Sequence, residues 1–240
     1  MAKLRATNIE PQSGTNLTLG TSGDAVTIAS TETKTNTVKD AGGNTLWTSD
    51  GSGTLSSINS ALVGGGLTLI TTQTVTSAAS QVNYSTGIDS TYDEYVFISN
   101  IYYSSGPAWT DVNFYTDAGT TAANKTTTAF HTYQSETADD KILQYASAED
   151  EANSTNGQKI DNYVGSLANS CSCGIMHLFQ PSSSTSYKQI ISRQALKRHD
   201  VYAAGFMVAG YLLTASPIVY VRYEPNTGTI TGTFKMYGVS

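Results

Sequence analysis

The chain has 240 residues, of which 13 are Lys or Arg and 19 are Asp or Glu, so its formal net charge is -6. Charged residues make up only 13% of the chain, and no large cluster of Lys and Arg is present that could bind a phosphate backbone, so we expect no nucleic-acid partner. The chain lacks both a stretch of about 18 apolar residues that could span a bilayer and the apolar core of a signal peptide near its N-terminus, so we expect neither membrane insertion nor secretion.

Residues 1–65 contain only short strand-like pieces between turns rich in Gly, Ser and Asp. Pieces this short cannot close a hydrophobic core by themselves. Their apolar side chains therefore need a partner, which is either the C-terminal domain or the same residues of other copies meeting on an axis. We predict an N-terminal anchoring segment whose oligomer or particle contacts come from Leu17, Leu19, Val26, Ile28, Leu46 and Trp47.

Residues 66–240 change to longer strands that are separated by Pro, Ser, Gly and Asn turns. The nearly continuous apolar run Glu94–Tyr103 is typical of a central strand, and the last run places Ile230, Phe234 and Met236 on one face. The spacing predicts an all-β fold in which this domain is an antiparallel β-sandwich of the jelly-roll type. The predicted strands are 67–75, 94–103, 111–115, 141–146, 174–181, 187–196, 201–213, 218–224 and 231–239.

The stretch 137–152 is compatible with two structures. Thr137 followed by Asp140 resembles the start of a helix. The stretch Lys141–Ala146 also fits a strand that ends in an acidic, solvated loop at 149–151. We favour the strand.

Cysteine and histidine residues give no pattern typical of a metal site. Cys171 and Cys173 are separated by one residue, so a disulfide between them would be strained. Zinc would need further soft ligands at suitable spacing, and His131, His177 and His199 are scattered. We expect two half-buried thiols, no metal and no cofactor.

Catalytic motifs are also missing from the sequence. The carboxylates Asp139 and Asp140, and those of Glu149, Asp150 and Glu151, have the residue type that glycosidases use. Adjacent acids in a loop rich in Ser and Asn are more often simple solvated charges. We therefore expect no catalytic residue and no enzymatic activity.

An aromatic cluster around a Gly-Pro loop suggests binding. Tyr102, Tyr103, Trp109 and Tyr115 surround this loop, and exposed aromatic faces can stack on sugar rings. These four residues are our candidates for contact with a glycan receptor. The alternative is that Tyr102 and Tyr115 are rim aromatics of the sandwich, and that Trp109 caps its end or packs between subunits.

Three stretches, one at each end of the chain and one in its middle, carry a resemblance to known proteins. The first runs from "LRATNIEPQSG" to "WTSDGSGTLSS", the second is "YDEYVFISNI" followed by "WTDVNFYTDAGTT", and the third is the closing "TGTITGTFKMYGVS". Together they resemble the fibre-like virion proteins of tailed bacteriophages, particularly those of marine phages. The first is similar to the part that seats such fibres on the particle, and the third is similar to the endings of their jelly-roll tips.

The resemblance implies a homotrimer that is assembled in the host cytoplasm and located in the virion. Its N-termini would be anchored to other phage structural proteins of the tail or capsid, and its sandwiches would face outward. The expected function is that of a short tail fibre that contacts the host surface. Polysaccharide on that surface is one of its expected partners. Two alternatives stay open, a capsid decoration or head-fibre protein and, more remotely, a polysaccharide depolymerase.

Overall fold

The structure is a computed structural model, and it describes residues 37–40, 42–52, 55–56, 58 and 66–239. The chain divides into two compact units, residues 1–64 and residues 65–240. This division falls one residue before the boundary that the sequence predicts. Four predicted anchor residues lie outside the described residues, namely Leu17, Leu19, Val26 and Ile28.

The described part of the first unit is a small antiparallel sheet. Its strands, in the order β1-β2-β3, are β1 (Thr37–Lys39), β2 (Thr45–Ser49) and β3 (Leu55–Ser56). The Asp40 carboxylate accepts a hydrogen bond from the backbone N–H of Asn44 at 2.8 Å, which closes the turn between β1 and β2. Leu46 and Trp47 lie in β2 and are half-buried.

The second unit is built from two antiparallel sheets. Its strands are β4 (Leu67–Ala79), β5 (Val82–Tyr84), β6 (Glu94–Tyr103), β7 (Thr110–Tyr115), β8 (Lys125–Ser135), β9 (Lys141–Tyr145), β10 (Gln158–Lys159), β11 (Ser172–Phe179), β12 (Lys188–Lys197), β13 (Tyr202–Leu212), β14 (Tyr220–Pro225) and β15 (Ile230–Val239). The larger sheet has the order β4-β15-β6-β11-β12-β13-β8-β9, and the smaller sheet has the order β10-β7-β14-β5. The predicted all-β antiparallel sandwich is confirmed. Within residues 66–239 it has twelve strands, where a simple jelly roll has eight.

Each predicted strand overlaps an observed one, and the strand β9 confirms the choice that was made for 137–152. The strands β5, β8 and β10 were not predicted. Two of them have only two or three residues. The eleven-residue strand β8 was missed because its inward side chains include Lys125 and Thr127, so it lacks the usual apolar alternation.

Aromatic rings from both sheets make the centre of the core. The ring of Tyr84 meets the ring of Phe97 edge-on, with 5.1 Å between their centroids, and Tyr223 meets Phe234 in the same way at 5.7 Å. Edge-to-face pairs of this kind stabilise a core beyond the area that they bury. Phe234 lies in β15 with Ile230 and Met236, and all three are fully buried, as the sequence predicts.

Two buried lysines fasten loops to the larger sheet. The ammonium group of Lys188 donates to three backbone carbonyl groups, those of Ser183, Ser186 and Thr214, at 2.6–3.1 Å. The ammonium group of Lys125 donates to the carbonyl group of Asn156, and burial lowers the pKa of Lys125 to about 8. A buried cation needs such partners because removing it from water is costly.

Gly232 lies where β15 approaches β6 too closely for a side chain to fit. Its φ is +140°, and a Cβ atom there would collide with the carbonyl oxygen of Asn100 on β6. We predict that Gly232→Ala lowers the free energy of unfolding by about 3 kcal/mol, because it combines overpacking with backbone strain. Urea unfolding measures this. Gly205→Ala is the control, since its Cβ would come no closer than 3.0 Å to Thr132 Oγ1, and we expect a loss below about 1 kcal/mol. Equal losses for the two variants would contradict the prediction.

Candidate functional site

The expectation that four exposed aromatic residues surround one loop is wrong for two of them. Tyr103 is only 4% exposed because it falls on the inward face of β6, where its hydroxyl donates to the Asp161 carboxylate at 2.7 Å. Tyr115 is only 5% exposed, since Tyr220 packs edge-on against its ring and the guanidinium of Arg222 lies 4.8 Å from the ring centre. Neither ring presents a free face to a sugar.

The other two aromatic residues belong to different sheets. Tyr102 is 38% exposed and points away from the core, because it alternates with the inward Tyr103 on β6 of the larger sheet. Trp109 directly precedes β7 of the smaller sheet and is half-buried. The four predicted residues therefore do not form one site, and Trp109 remains as the candidate contact on the smaller sheet.

Trp109 lies among charged side chains from three strands, and we call this group the Trp109 patch (Trp109, Asp111, Lys159, Glu224 and Asn226). Antiparallel register places Asp111 on β7 between Lys159 on β10 and Glu224 on β14. The indole Nε1–H donates to the Asp111 carboxylate at 3.2 Å, and the Lys159 ammonium lies 4.4 Å from the indole ring centre. The backbone N–H of Trp109 donates to Asn226 Oδ1 at 2.8 Å.

Burial controls the charge of the patch. Desolvation raises the pKa of Asp111 to about 6, and the nearby carboxylates of Asp161 and Glu224 add to this. The Trp109 hydrogen bond and the Lys159 charge act in the opposite direction without cancelling the effect. Asp161 is fully buried behind β7, where the backbone N–H of Thr110 donates to it at 2.7 Å, and desolvation raises its pKa to about 6 as well.

A close-fitting loop covers one side of the patch. Gly157 lies so near to Asp111 and Asn113 that a Cβ atom there would contact both side chains at 2.5–3.2 Å. The side-chain oxygen of Asn113 is buried and accepts no hydrogen bond from the part of the chain that the structure describes. Glu224 and Asn226 are the exposed residues of the patch, and Trp109 is half-buried.

Two of the acidic residues that were considered as glycosidase groups accept hydrogen bonds from neighbouring side chains. Asp139 accepts hydrogen bonds from the hydroxyl groups of Ser135 and Thr137 at 2.6 Å. Glu149 accepts one from the side-chain amide of Asn162 at 2.7 Å. These contacts close turns and fix loops.

The cysteine thiols and histidines do not come together. Cys171 and Cys173 are free, half-buried thiols, as predicted, with 3.7 Å between their sulfur atoms. His177 pairs with the Glu94 carboxylate, whereas His131 is bound to Gln144 on a different strand. In the described ranges no group of three or more His, Cys, Asp or Glu side chains is placed to hold a metal ion.

Comparisons with known proteins add no identification. No protein-family model, no curated protein and no solved structure matches this chain. The described residues also include no helix that is long and apolar enough to cross a membrane.

Sequence reasoning missed four members of the Trp109 patch, namely Asp111, Lys159, Glu224 and Asn226. Asp111 follows Trp109 at a spacing of two, so the alternation of a strand could have placed both on one face. Lys159 and Glu224 lie far away along the chain, and only the pairing of β10 and β14 with β7 brings them there. The pairing of these distant strands cannot be predicted from any local pattern in the sequence.

The two buried carboxyl groups predict a specific dependence of stability on pH. An Asp in an unfolded chain titrates near pH 4, so the folded protein binds the Asp161 proton more tightly between about pH 4 and pH 6. The free energy of unfolding should therefore fall as the pH rises through this window and level off above it. Asp161→Asn should remove the part of this decrease in the free energy of unfolding that comes from Asp161, up to roughly 3 kcal/mol. Urea unfolding at a series of pH values measures it.

Asp117→Asn is the control for this experiment. Hydrogen bonds from Thr121 lower the pKa of the exposed Asp117 to about 2, so its stabilising effect is lost only below about pH 4. The slope between pH 4 and pH 6 should be unchanged in this variant. A wild-type slope in Asp161→Asn would show that Asp161 does not titrate in this window.

Proposed function

We propose that this protein is a non-enzymatic structural protein of a tailed bacteriophage, a short trimeric fibre that projects from the particle and contacts polysaccharide on the host surface. The single observation that carries the contact function is the Trp109 patch, where an indole ring lies among acceptor and donor groups on the outer face of the smaller sheet. The placement in a phage particle rests on the resemblance at both ends and in the middle of the chain.

The chemistry of the patch suits a sugar. The Lys159 ammonium lies over the Trp109 ring, and Trp109 is only half-buried, so part of its surface is accessible to a pyranose ring. The apolar C–H face of a sugar packs on an aromatic ring, while its hydroxyl groups need partners nearby. Glu224 and Asn226 are exposed and accept hydrogen bonds, and Lys159 donates them.

The first unit provides the proposed anchor. Its described sheet has only short strands, and Leu46 and Trp47 are half-buried in β2. We propose that these residues, together with Leu17, Leu19, Val26 and Ile28, contact other copies of the chain or the phage proteins that seat the fibre. The virion is then the location of the mature protein, after assembly in the host cytoplasm.

A capsid decoration or head-fibre protein would use the same two-part plan, with the sandwich stabilising the shell. Electron cryo-microscopy of particles distinguishes the two, because density at the tail supports host attachment and density on the capsomers supports decoration.

One observation favours the remote alternative of a polysaccharide depolymerase. Asp111 and Glu224 are directly opposite in register, and the raised pKa of Asp111 is what a general acid requires. If purified protein shortens host polysaccharide, and Asp111→Asn abolishes that cleavage while binding persists, this alternative replaces the non-enzymatic one.

Removal of the indole ring tests the contact function. We predict that Trp109→Ala weakens binding to host polysaccharide by about tenfold, since it removes the stacking surface, and that phage adsorption slows accordingly. Biolayer interferometry on immobilised polysaccharide measures the affinity. Tyr102→Ala is the matched control, because this exposed ring lies on the other sheet and its loss should leave binding unchanged. Unaltered binding by a folded Trp109→Ala variant would assign the indole ring to packing.

Deletion tests the two-part plan. We expect a chain that lacks residues 1–64 to retain the β-sheet circular dichroism of the sandwich and to be missing from purified particles, because the second unit contains its own core. The full-length chain, supplied in the same way, is the control for incorporation. Loss of the β signal, or normal incorporation of the shortened chain, would contradict this division of roles.

A further inference from the structure

The two edge strands of the eight-stranded sheet each have a single neighbour among the described residues of the second unit. Within residues 66–239, β4 pairs only with β15, and β9 pairs only with β8. An edge strand presents a row of unpaired N–H and C=O groups, and proteins usually protect it with charges, prolines or very short length. β4 has thirteen residues with no charge and no proline. This strand therefore lacks the usual protection against pairing with another chain.

Both edge strands carry large exposed apolar side chains. Leu67 and Leu69 on β4 are 52% and 53% exposed, and Leu143 and Tyr145 on β9 are 71% and 54% exposed. Large apolar side chains exposed together mark contact sites with other proteins more often than isolated ones do. Both edges of the sheet therefore expose large apolar side chains, and β4 in addition lacks the usual protection of an edge strand.

The register places all four side chains on one face of the sheet. A row of directly opposed residues crosses the outer face in the order Lys235, Ile98, Ile175, Arg193, Met207, Phe130 and Tyr145. Leu69 is opposite Tyr237, two residues from Lys235 on β15, so it shares this face. If β4 of one copy continued the sheet next to β9 of another, the exposed leucines and the tyrosine would lie on the same side of the joint.

The direction of the strands also fits. All neighbours in the sheet are antiparallel, and the number of strands is eight, so β4 and β9 run in opposite directions. A rotation that places β9 of one copy beside β4 of the next therefore makes an antiparallel pair. Repeated head-to-tail contacts of this kind close into a ring when the rotation permits.

We propose that β4 of one copy pairs with β9 of the next copy, so that the eight-stranded sheets of the assembled protein join into a closed ring. This contact uses both edge strands and brings the four exposed side chains together as cross-strand neighbours on one face. Pairing of β4 with β4 of a second copy would leave Leu143 and Tyr145 uncovered, and its two-fold symmetry does not suit three copies. The inference depends on the proposed function only for the copy number of three.

Hydrogen exchange of the full-length chain tests whether β9 of one copy protects the backbone amides of β4 in another copy. We compare the wild type with a charged β9 variant, Leu143→Lys with Tyr145→Lys, in which β4 itself is unchanged. The backbone amides of β4 that point away from β15 should exchange at least about tenfold faster in this variant, because the charged β9 no longer pairs with them. Leu167→Lys is the matched control, since Leu167 is an exposed leucine in the loop before β11, and its β4 amides should behave as in the wild type.

Mixing provides the second arm. A charged β4 variant, Leu69→Lys with Thr72→Lys, keeps an intact β9, so adding it to the charged β9 variant should restore protection of the intact β4 strands. Equal exchange of β4 in the wild type and in the charged β9 variant overturns the proposal, whether β4 pairs with itself, with a segment of its own chain or with nothing. Polysaccharide binding by the Trp109 patch should be unchanged per chain in each variant, so failure of this joint is distinguishable from failure of the proposed function.

Discussion

The packing of the small sheet on the large one is the constraint on which the rest of this protein depends. Rings from Tyr84 and Tyr223 on the smaller sheet meet Phe97 and Phe234 on the larger one. These contacts fix which residues of β14 point inward, and the pairing of β7 with β14 then fixes those of β7. Because side chains alternate along a strand, they also fix which residues point out, and the outward set includes Asp111 and Glu224. A slip of one residue in either strand would remove the patch.

Strands with a simple apolar alternation could be predicted from the sequence. Glu94–Tyr103 and Ile230–Val239 lie nearly where the sequence places them, since their inward positions are apolar or aromatic. β8 was not predicted, because this sandwich buries Lys125 and satisfies it with a carbonyl group from a distant loop. The exposure of Tyr103 and Tyr115 was mistaken for a similar reason, since their hydroxyl groups have buried or covered partners from other strands. Local patterns carry no information about such partners.

The chain has few charged residues, and two of them, Asp161 and Lys188, are buried and hydrogen-bonded within the fold. Asp161 accepts two hydrogen bonds in the core, and Lys188 is held by three carbonyl groups. Each buried charge is therefore a fixed point for a loop, and it would be costly to leave unpartnered. The hydrogen bond from the Thr110 backbone to Asp161 fixes the residue next to Trp109, and such preorganisation limits the entropy lost when a ligand binds.

We propose that the Trp109 patch is the surface that meets the host polysaccharide. The chain has only two tryptophans, Trp47 and Trp109, so its indole N–H groups give two signals in a nitrogen-proton correlation spectrum. Titration with oligosaccharides from the host surface should shift the Trp109 signal in a saturable way and leave the Trp47 signal in place. A saturable shift of Trp47 alone, or no shift of either signal at concentrations that block phage adsorption, would contradict the claim.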